Sequence, residues 1–426
     1  WDYQARVDHT LGPGKVSVFA FGSHDTLGHK QYPETNAAID FHRLDLRWQG
    51  AVGPGRLLVG TAIGADRSAV TLDPLIRLPV RIASRSIAPR ASYKVVRDWY
   101  EVHTGVDSEV QAFDPRTERA DARNQGIFKK RVAAASGAYL ATTLRAGEWF
   151  ELTPAMRYDV FYEGDRRRYE PGPRLRLRLR PFEQTVFKAQ VGRFAQTASL
   201  PVAVPGFESF GLDSYGTQTS KQGSVGVEQN IGDALSLDFT SFYQRFKLTD
   251  LLNIFNIGYE DPRLLELRDG ESYGFEVMLR RAQSHRAYGW ISYTWSKSLR
   301  LVGPSGANAF SDWDQRHVFN LVAGLRLPKG FNVGGRLHLN TGRPYPLFDE
   351  EGSAGPPDYI RLPTFVQADL RIEKRFVLDR YVLDVYLEAV NTTLSKQVFD
   401  VKREKGERVE KYYQIVLPSL GIHAEW

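Results

Sequence analysis

The chain has 426 residues, 42% apolar and 12% aromatic, with no cysteine. This composition excludes a disordered or collagen-like chain, and the missing cysteines exclude disulfide frameworks, thiol catalysis and cysteine-ligated metal centres. The net charge of +6 comes from 56 basic and 50 acidic residues, a mixture of signs that calls for no nucleic-acid partner.

Apolar runs such as residues 132–135 fall far short of the roughly 18 residues of a spanning helix, so helical membrane topology is excluded. A β-barrel is not, because it crosses with alternating residues and keeps a negative mean hydropathy like this one. Along the chain the period is two. Tyr100, Val102, Val106 and Val110 alternate with Glu101, His103, Asp107 and Glu109, and Phe150, Leu152, Met156, Tyr158 and Val160 with Glu151, Thr153, Arg157 and Asp159. Leu175, Leu177 and Leu179 then alternate with Arg174, Arg176, Arg178 and Arg180. Further on, Val333, Leu337 and Leu339 stand against Arg336, His338 and Asn340, and Val366, Ala368, Leu370 and Ile372 against Gln367, Asp369, Arg371 and Glu373.

The connections predict which kind of β protein this is. Short polar turns fall at 12–15, 53–56, 145–148, 181–185, 230–234, 283–286, 328–330 and 378–380. Long segments lie between them at 25–36, 114–126, 200–220, 249–270, 303–314, 347–361 and 400–410. Runs of about 10 to 16 residues with short turns at one end and long loops at the other predict an all-β, transmembrane antiparallel β-barrel. About nineteen strands are expected, an odd number where a closed bacterial barrel is even, so the sequence reads as a single barrel domain over residues 1–426 that lacks its first strands.

The phase assigns faces. Glu101, His103, Asp107, Glu109, Arg157, Arg176, Arg178, Glu276, Arg336, His338, Asp369 and Arg371 are expected to line the lumen, and Tyr100, Phe150, Tyr158, Tyr293, Trp295 and Trp426 to form the membrane girdle. Phe207, Phe210, Tyr215, Phe255 and Tyr259, in long segments, are the candidate ligand contacts, since aromatic rings on loops can stack on a solute. Asp349, Glu350 and Glu351 could hold Ca²⁺ or be a solvated loop. The arginine ladder could bind phosphate or lipopolysaccharide, or face carboxylates across the lumen wall. The nine histidines include no clustered metal-binding motif, and neither a metal nor a cofactor is expected. GESYG at 270–274 matches a nucleophile elbow around Ser272, but a strand-like run follows it where a helix is required, so no catalysis is expected.

Several segments carry a resemblance: GESYGFEVMLRR (270–281), SYTWSKS (292–298), DQRHVFNLVAGLRLPKGFNVGGRLHLNTGRPY (314–345), LPTFVQADLRIEKRF (362–376) with LDVYLEAVNTT (383–393), and the closing LPSLGIHAEW. In this order they resemble the TonB-dependent receptors of Gram-negative outer membranes, and a weaker likeness extends upstream through 173–196. The resemblance implies a barrel of twenty-two strands around a plug, with the plug and first strands absent from this sequence. It implies active uptake of a scarce solute such as siderophore-bound iron, a vitamin or a carbohydrate. The implied partners are the bilayer with its lipopolysaccharide, the plug, the inner-membrane TonB complex acting through it, a small-molecule ligand, and the assembly machinery that reads the last strand. The alternatives are a plugless pore or secretion conduit, and a soluble β protein or an esterase built on Ser272.

Overall fold

The computed structural model describes residues 1–28, 36–72, 78–117, 130–197, 216–249, 267–281, 286–302, 307–311, 313–347, 358–404 and 406–425. Among these are twenty-four strands, nineteen of them nine residues or longer. No described helix is long and apolar enough to cross a membrane. Contacts divide the chain into two compact units: Trp1–Leu177 with Val191–Lys221 and Phe246–Asp269, and Arg178–Gln190 with Gln222–Arg245 and Gly270–Trp426.

Unit one is a meander in which each strand pairs antiparallel with the next: β1 (Asp2–Leu11), β2 (Gly14–Gly28), β3 (Asn36–Val52), β4 (Gly55–Leu72), β5 (Leu78–Val96), β6 (Tyr100–Thr117), β7 (Arg131–Ala146) and β8 (Phe150–Glu163). The residues of β9 (Arg166–Phe182), β10 (Thr185–Thr197), β11 (Thr217–Ile231) and β12 (Leu235–Thr249) are divided between the units. In unit two the order of pairing is β13 (Leu267–Arg281), β14 (Ala287–Val302), β16 (His317–Leu327), β17 (Phe331–Asn340), β20 (Phe365–Val377), β21 (Val382–Val390) and β24 (Leu417–Glu425). Within its connections lie β15 (Ala307–Phe310), paired with the far end of β14, and two hairpins, β18 (Pro344–Leu347) with β19 (Asp358–Arg361) and β22 (Gln397–Glu404) with β23 (Glu407–Tyr413).

Residues directly opposite in an antiparallel pair share a face, so the registers turn the alternation into two surfaces. Leu57 faces Tyr93, Tyr93 faces Thr104, Thr104 faces Leu140 and Leu140 faces Met156, all on one face. That face is not packed: Val106 is 55% exposed, Leu140 50% and Met156 46%, and in unit two Leu370 is 56% and Ile422 67% exposed. Such a surface is unfavourable in water at about 25 cal/mol per Å² and suits a hydrocarbon solvent. The opposite face carries the ion pairs.

Two-residue turns close one end, with Gly12 and Gly53 at φ of 57° and 52°, a conformation that favours glycine and matches the twist of paired strands. Glycine also serves close packing. Gly421 faces Tyr386, whose ring occupies the place a Cβ would take and holds the Arg371 guanidinium 3.8 Å above its own centre.

The connections depart from the expected pattern in four places. Residues 400–410 belong to the β22/β23 hairpin, because two alternating runs flank a turn with Gly406 at φ 80°. The edges of 347–361 enter β18 and β19, and 303–314 includes β15. Gly164 and Asp165 alone join β8 to β9 at the end where long connections are expected; Gly164 takes φ 58°, and two residues suffice.

Candidate functional site

The polar face of unit one is built from alternating charges on successive strands. Lys94 on β5 meets Glu101 on β6 at 2.6 Å, Glu101 meets Arg145 on β7 at 3.3 Å, Arg145 meets Glu151 on β8 at 3.5 Å and Glu151 meets Arg176 on β9 at 3.5 Å. Nearer the long connections, Arg157 bridges Asp107 at 2.7 and 2.8 Å and Asp159 at 2.7 Å. It crosses β7 at Gly137, where a Cβ would collide with the guanidinium, so the glycine is what lets β8 reach β6. Asp66, with no exposed side-chain surface, is held by two Arg43 nitrogens at 2.5 and 3.1 Å and by the Ser84 hydroxyl at 3.1 Å. His103 contacts the Tyr139 hydroxyl at 3.2 Å.

Unit two repeats the scheme. Arg178 reaches Glu228 at 3.2 Å, Arg336 reaches Asp369 at 2.6 Å, and Arg371 reaches Glu373 at 2.6 Å and Glu388 at 3.2 Å. His338 contacts Asn320 at 2.6 Å and Asn340 at 3.1 Å. Ten of the twelve predicted polar residues therefore have polar partners on this face, while Glu109 and Glu276 stand on it without an ion pair among the described residues. In the arginine ladder, Arg176 meets Glu151 on the neighbouring β8, Arg178 meets Glu228 on β11, and Arg174 lies 4.4 Å over Phe194.

A family model described as TonB dependent receptor-like, beta-barrel, matches residues 2–391. The chain belongs to that family. Among solved structures, the unliganded ferric citrate transporter FecA is 13% identical, with a TM-score of 0.74 over 100% of this chain and 70% of its own. The ferripyoverdine receptor of the outer membrane of Pseudomonas aeruginosa is 10% identical, with a TM-score of 0.74 over 100% of this chain and 64% of its own. The F3-3 variant of the FrpB iron transporter from Neisseria meningitidis is 12% identical, with a TM-score of 0.71 over 100% of this chain and 71% of its own. This receptor barrel chain thus spans about two thirds of the length of these structures. No curated protein matches it. The family is one of transport receptors known from Gram-negative outer membranes.

Of the residues expected in the girdle, Tyr100, Phe150, Tyr158, Tyr293 and Trp295 lie on the apolar face of the receptor chain. Tyr100 packs against Trp99 and Phe150 against Trp149, with ring centres 4.5 and 5.5 Å apart, beside the short turns. Tyr158 is 46% exposed. Tyr293 and Trp295 gather around Phe275 at 6.0 and 5.9 Å. Phe207, Phe210, Tyr215, Phe255, Tyr259 and Trp426 lie outside the described residues, as do Asp349, Glu350 and Glu351. Ser272 sits inside β13 opposite Ser298, and the strand continues to Arg281, so no elbow forms there.

A cluster that sequence reasoning missed orders the long connections of unit two. Asp314, 1% exposed, accepts from the Ser298 backbone N–H at 2.7 Å and from Arg316 Nε at 2.8 Å, and pairs with Arg361, which also donates to the Asp314 and Gly342 carbonyls at 2.9 and 3.0 Å. Burial pushes the Asp314 carboxyl up, but the Ser298 N–H and the two guanidiniums outweigh it and hold it below the usual carboxylate range. Both arginines also stack over Phe310, at 4.7 and 5.1 Å. Nearby, Leu347, Leu362 and Val401 form a small core with Tyr345, Ile360 and Val398. The Tyr345 hydroxyl donates to Asp400 at 2.8 Å; burial and that carboxylate push it up to about 12. Asp314 lies in a segment that carried the resemblance, yet nothing in its composition marked it as a hub.

Proposed function

We propose that the chain provides the wall and the long-connection end of an outer-membrane importer that takes up a scarce metal chelate and is driven from the inner membrane through a plug. The observation that carries this reading is the paired polar face. A passive conduit would be served by free charges along its lumen, whereas here Glu101, Asp107, Glu151, Asp369 and Glu388 are neutralised by arginine or lysine across strands. Such a wall presents hydrogen-bonding groups to a polar plug without burying unpaired charge.

In this reading residues 1–426 act as one barrel domain. The polar set from Glu101 to Arg371 faces the plug and its water, the aromatic pairs at Tyr100 and Phe150 set the depth in the bilayer, and the last strand with Trp426 is the element read by the assembly machinery. Phe207, Phe210, Tyr215, Phe255 and Tyr259 contact the solute. The metal-chelate class is supported by the iron, ferric citrate and ferripyoverdine proteins that share the fold.

The test is uptake of labelled ferric chelates by cells carrying the complete receptor. Uptake abolished by an uncoupler of the inner-membrane proton gradient is expected. Uptake indifferent to the uncoupler, together with steady ion conductance in planar bilayers, would assign a passive pore.

A further inference from the structure

On the apolar face of unit one, the registers gather cations at the end that carries the long connections. Arg67 faces Ala83 and Ala83 faces Asp114. One step outward Ala69 faces Arg81 and Arg81 faces Arg116; one step inward Ala65 faces Arg85 and Arg85 faces Ala112. Lys130 joins them at 3.2 Å from Asp114. The next row inward is apolar, Ile63 opposite Ile87 and Ile87 opposite Val110, at 43%, 48% and 36% exposure. All five cations are exposed.

Their charge is not matched among the described residues. Asp114 is shared by Arg116 and Lys130, and Asp40, opposite Arg67, is engaged by His24. Arg67, Arg81 and Arg85 make no ion pair among the described residues. Alanine faces Arg85 on both neighbouring strands, and faces Arg67 on β5 and Arg81 on β4, so little side-chain bulk covers the guanidiniums. The other end of the same face closes on Trp99, Tyr100, Trp149 and Phe150. Between the two ends lies an apolar depression of about 620 Å³, with the small Ala91 and Ala138 set among Leu57, Leu140, Met156 and Tyr158. Ala91 is six residues from Arg85 along β5, about 20 Å, the reach of a fatty acyl chain.

We propose that Arg67, Arg81, Arg85, Arg116 and Lys130 bind the phosphorylated headgroup of an outer-leaflet glycolipid, with one of its acyl chains in that depression. This rests on the chain spanning the outer membrane. A guanidinium bordering hydrocarbon requires an anion, phosphate accepts its paired N–H groups, and on a membrane-facing surface lipid is the molecule that brings phosphate to that depth. The cations border one edge of the apolar band only, which selects one leaflet.

The complete receptor, extracted in mild detergent from its own membrane, is examined by native mass spectrometry for retained lipid. The unmutated protein is expected to hold phosphorylated glycolipid. The triple variant R67S/R81S/R85S is expected to hold roughly 100-fold less, and single R85Q an intermediate amount. High salt lowers retention, and added dephosphorylated glycolipid does not bind. Equal retention by the triple variant, or equal binding of the dephosphorylated lipid, overturns the site. Inorganic phosphate competing as well as glycolipid assigns a free anion and overturns the lipid. The heat-dependent shift in gel mobility typical of a barrel is read in parallel. If the unmutated protein lacks it, the membrane reading falls; if both proteins show it and neither retains glycolipid, only the lipid site falls.

Discussion

In unit one, β3 to β6 run for 17 to 19 residues, while in unit two β16, β17, β21 and β24 run for 9 to 11. A tilted membrane strand needs about 9 to 11. Unit one therefore continues its sheet beyond the apolar band, and its outer polar groups are tied by strand-to-strand pairs such as Arg43 with Asp66. Those four strands of unit two stop near the minimum length, and its connections fold into hairpins with their own core, beside a buried carboxylate, Asp314. The same alternation thus yields two ways of ordering the long-connection end: extending the ladder, or packing a second layer on it.

The comparison is broken most directly at the two buried aspartates. Asp314→Ala leaves Arg316, Arg361 and the Ser298 N–H without their acceptor, and a loss of about 4 kcal/mol is expected. Hydrogen exchange should rise at 298–302, 307–311, 313–316 and 358–361 while β13, β16 and β17 stay protected. Asp66→Ala, expected to cost a similar amount, should instead expose β3 to β5 and lower the unfolding temperature of the sheet. If the two variants gave the same exchange pattern, the distinction between the units would fail. The lowered Asp314 pKa has a sign: its contribution is present at neutral pH and is lost only as pH falls below the ordinary carboxylate range.

Next in size is Leu347→Ala in the hairpin core, at about 3 kcal/mol, read as protease cleavage within 344–347, 358–361, 397–404 or 407–413. Cleavage unchanged from the parent protein would mean the hairpins are held from elsewhere. A smaller effect, about 1 kcal/mol, is expected for Tyr345→Phe. Because the Tyr345 hydroxyl is raised from 10.0 to about 12, its contribution is full below pH 10 and is lost between pH 10 and 12. Tyrosinate absorbance should show one fewer late-titrating ring in the variant than in the parent protein. Smallest is Arg176→Gln: its 3.5 Å pair with Glu151 is exposed, and a change below about 1 kcal/mol in urea unfolding is expected. A larger loss would show that the five-strand charge ladder acts cooperatively.

Much of this was legible in residue order. Alternation around Tyr100 to Val110 and Phe150 to Val160 put Asp107 and Arg157 on one face before any coordinates, since strand geometry leaves side chains only two sides. The nineteen long strands follow from the same period and from the turn residues. The hairpin at β22/β23 was missed because its centre, VKREKGERVEK at 401–411, is densely charged and reads as loop. Asp314 was missed because its importance lies in partners 16 and 47 residues away.

By itself, then, the sequence determined the all-β class, the two faces, the number of long strands and the family, because each is written in local periodicity or in contiguous segments. Only the tertiary structure decided which charges meet. Register aligned Lys94, Glu101, Arg145, Glu151 and Arg176 across five strands, Gly137 opened the path from Arg157 to Asp107, and Arg361 came to Asp314 through the connection between β17 and β20. A one-residue slip in any pair would have turned those charges to the other face, and nothing local in the chain states which slip is chosen.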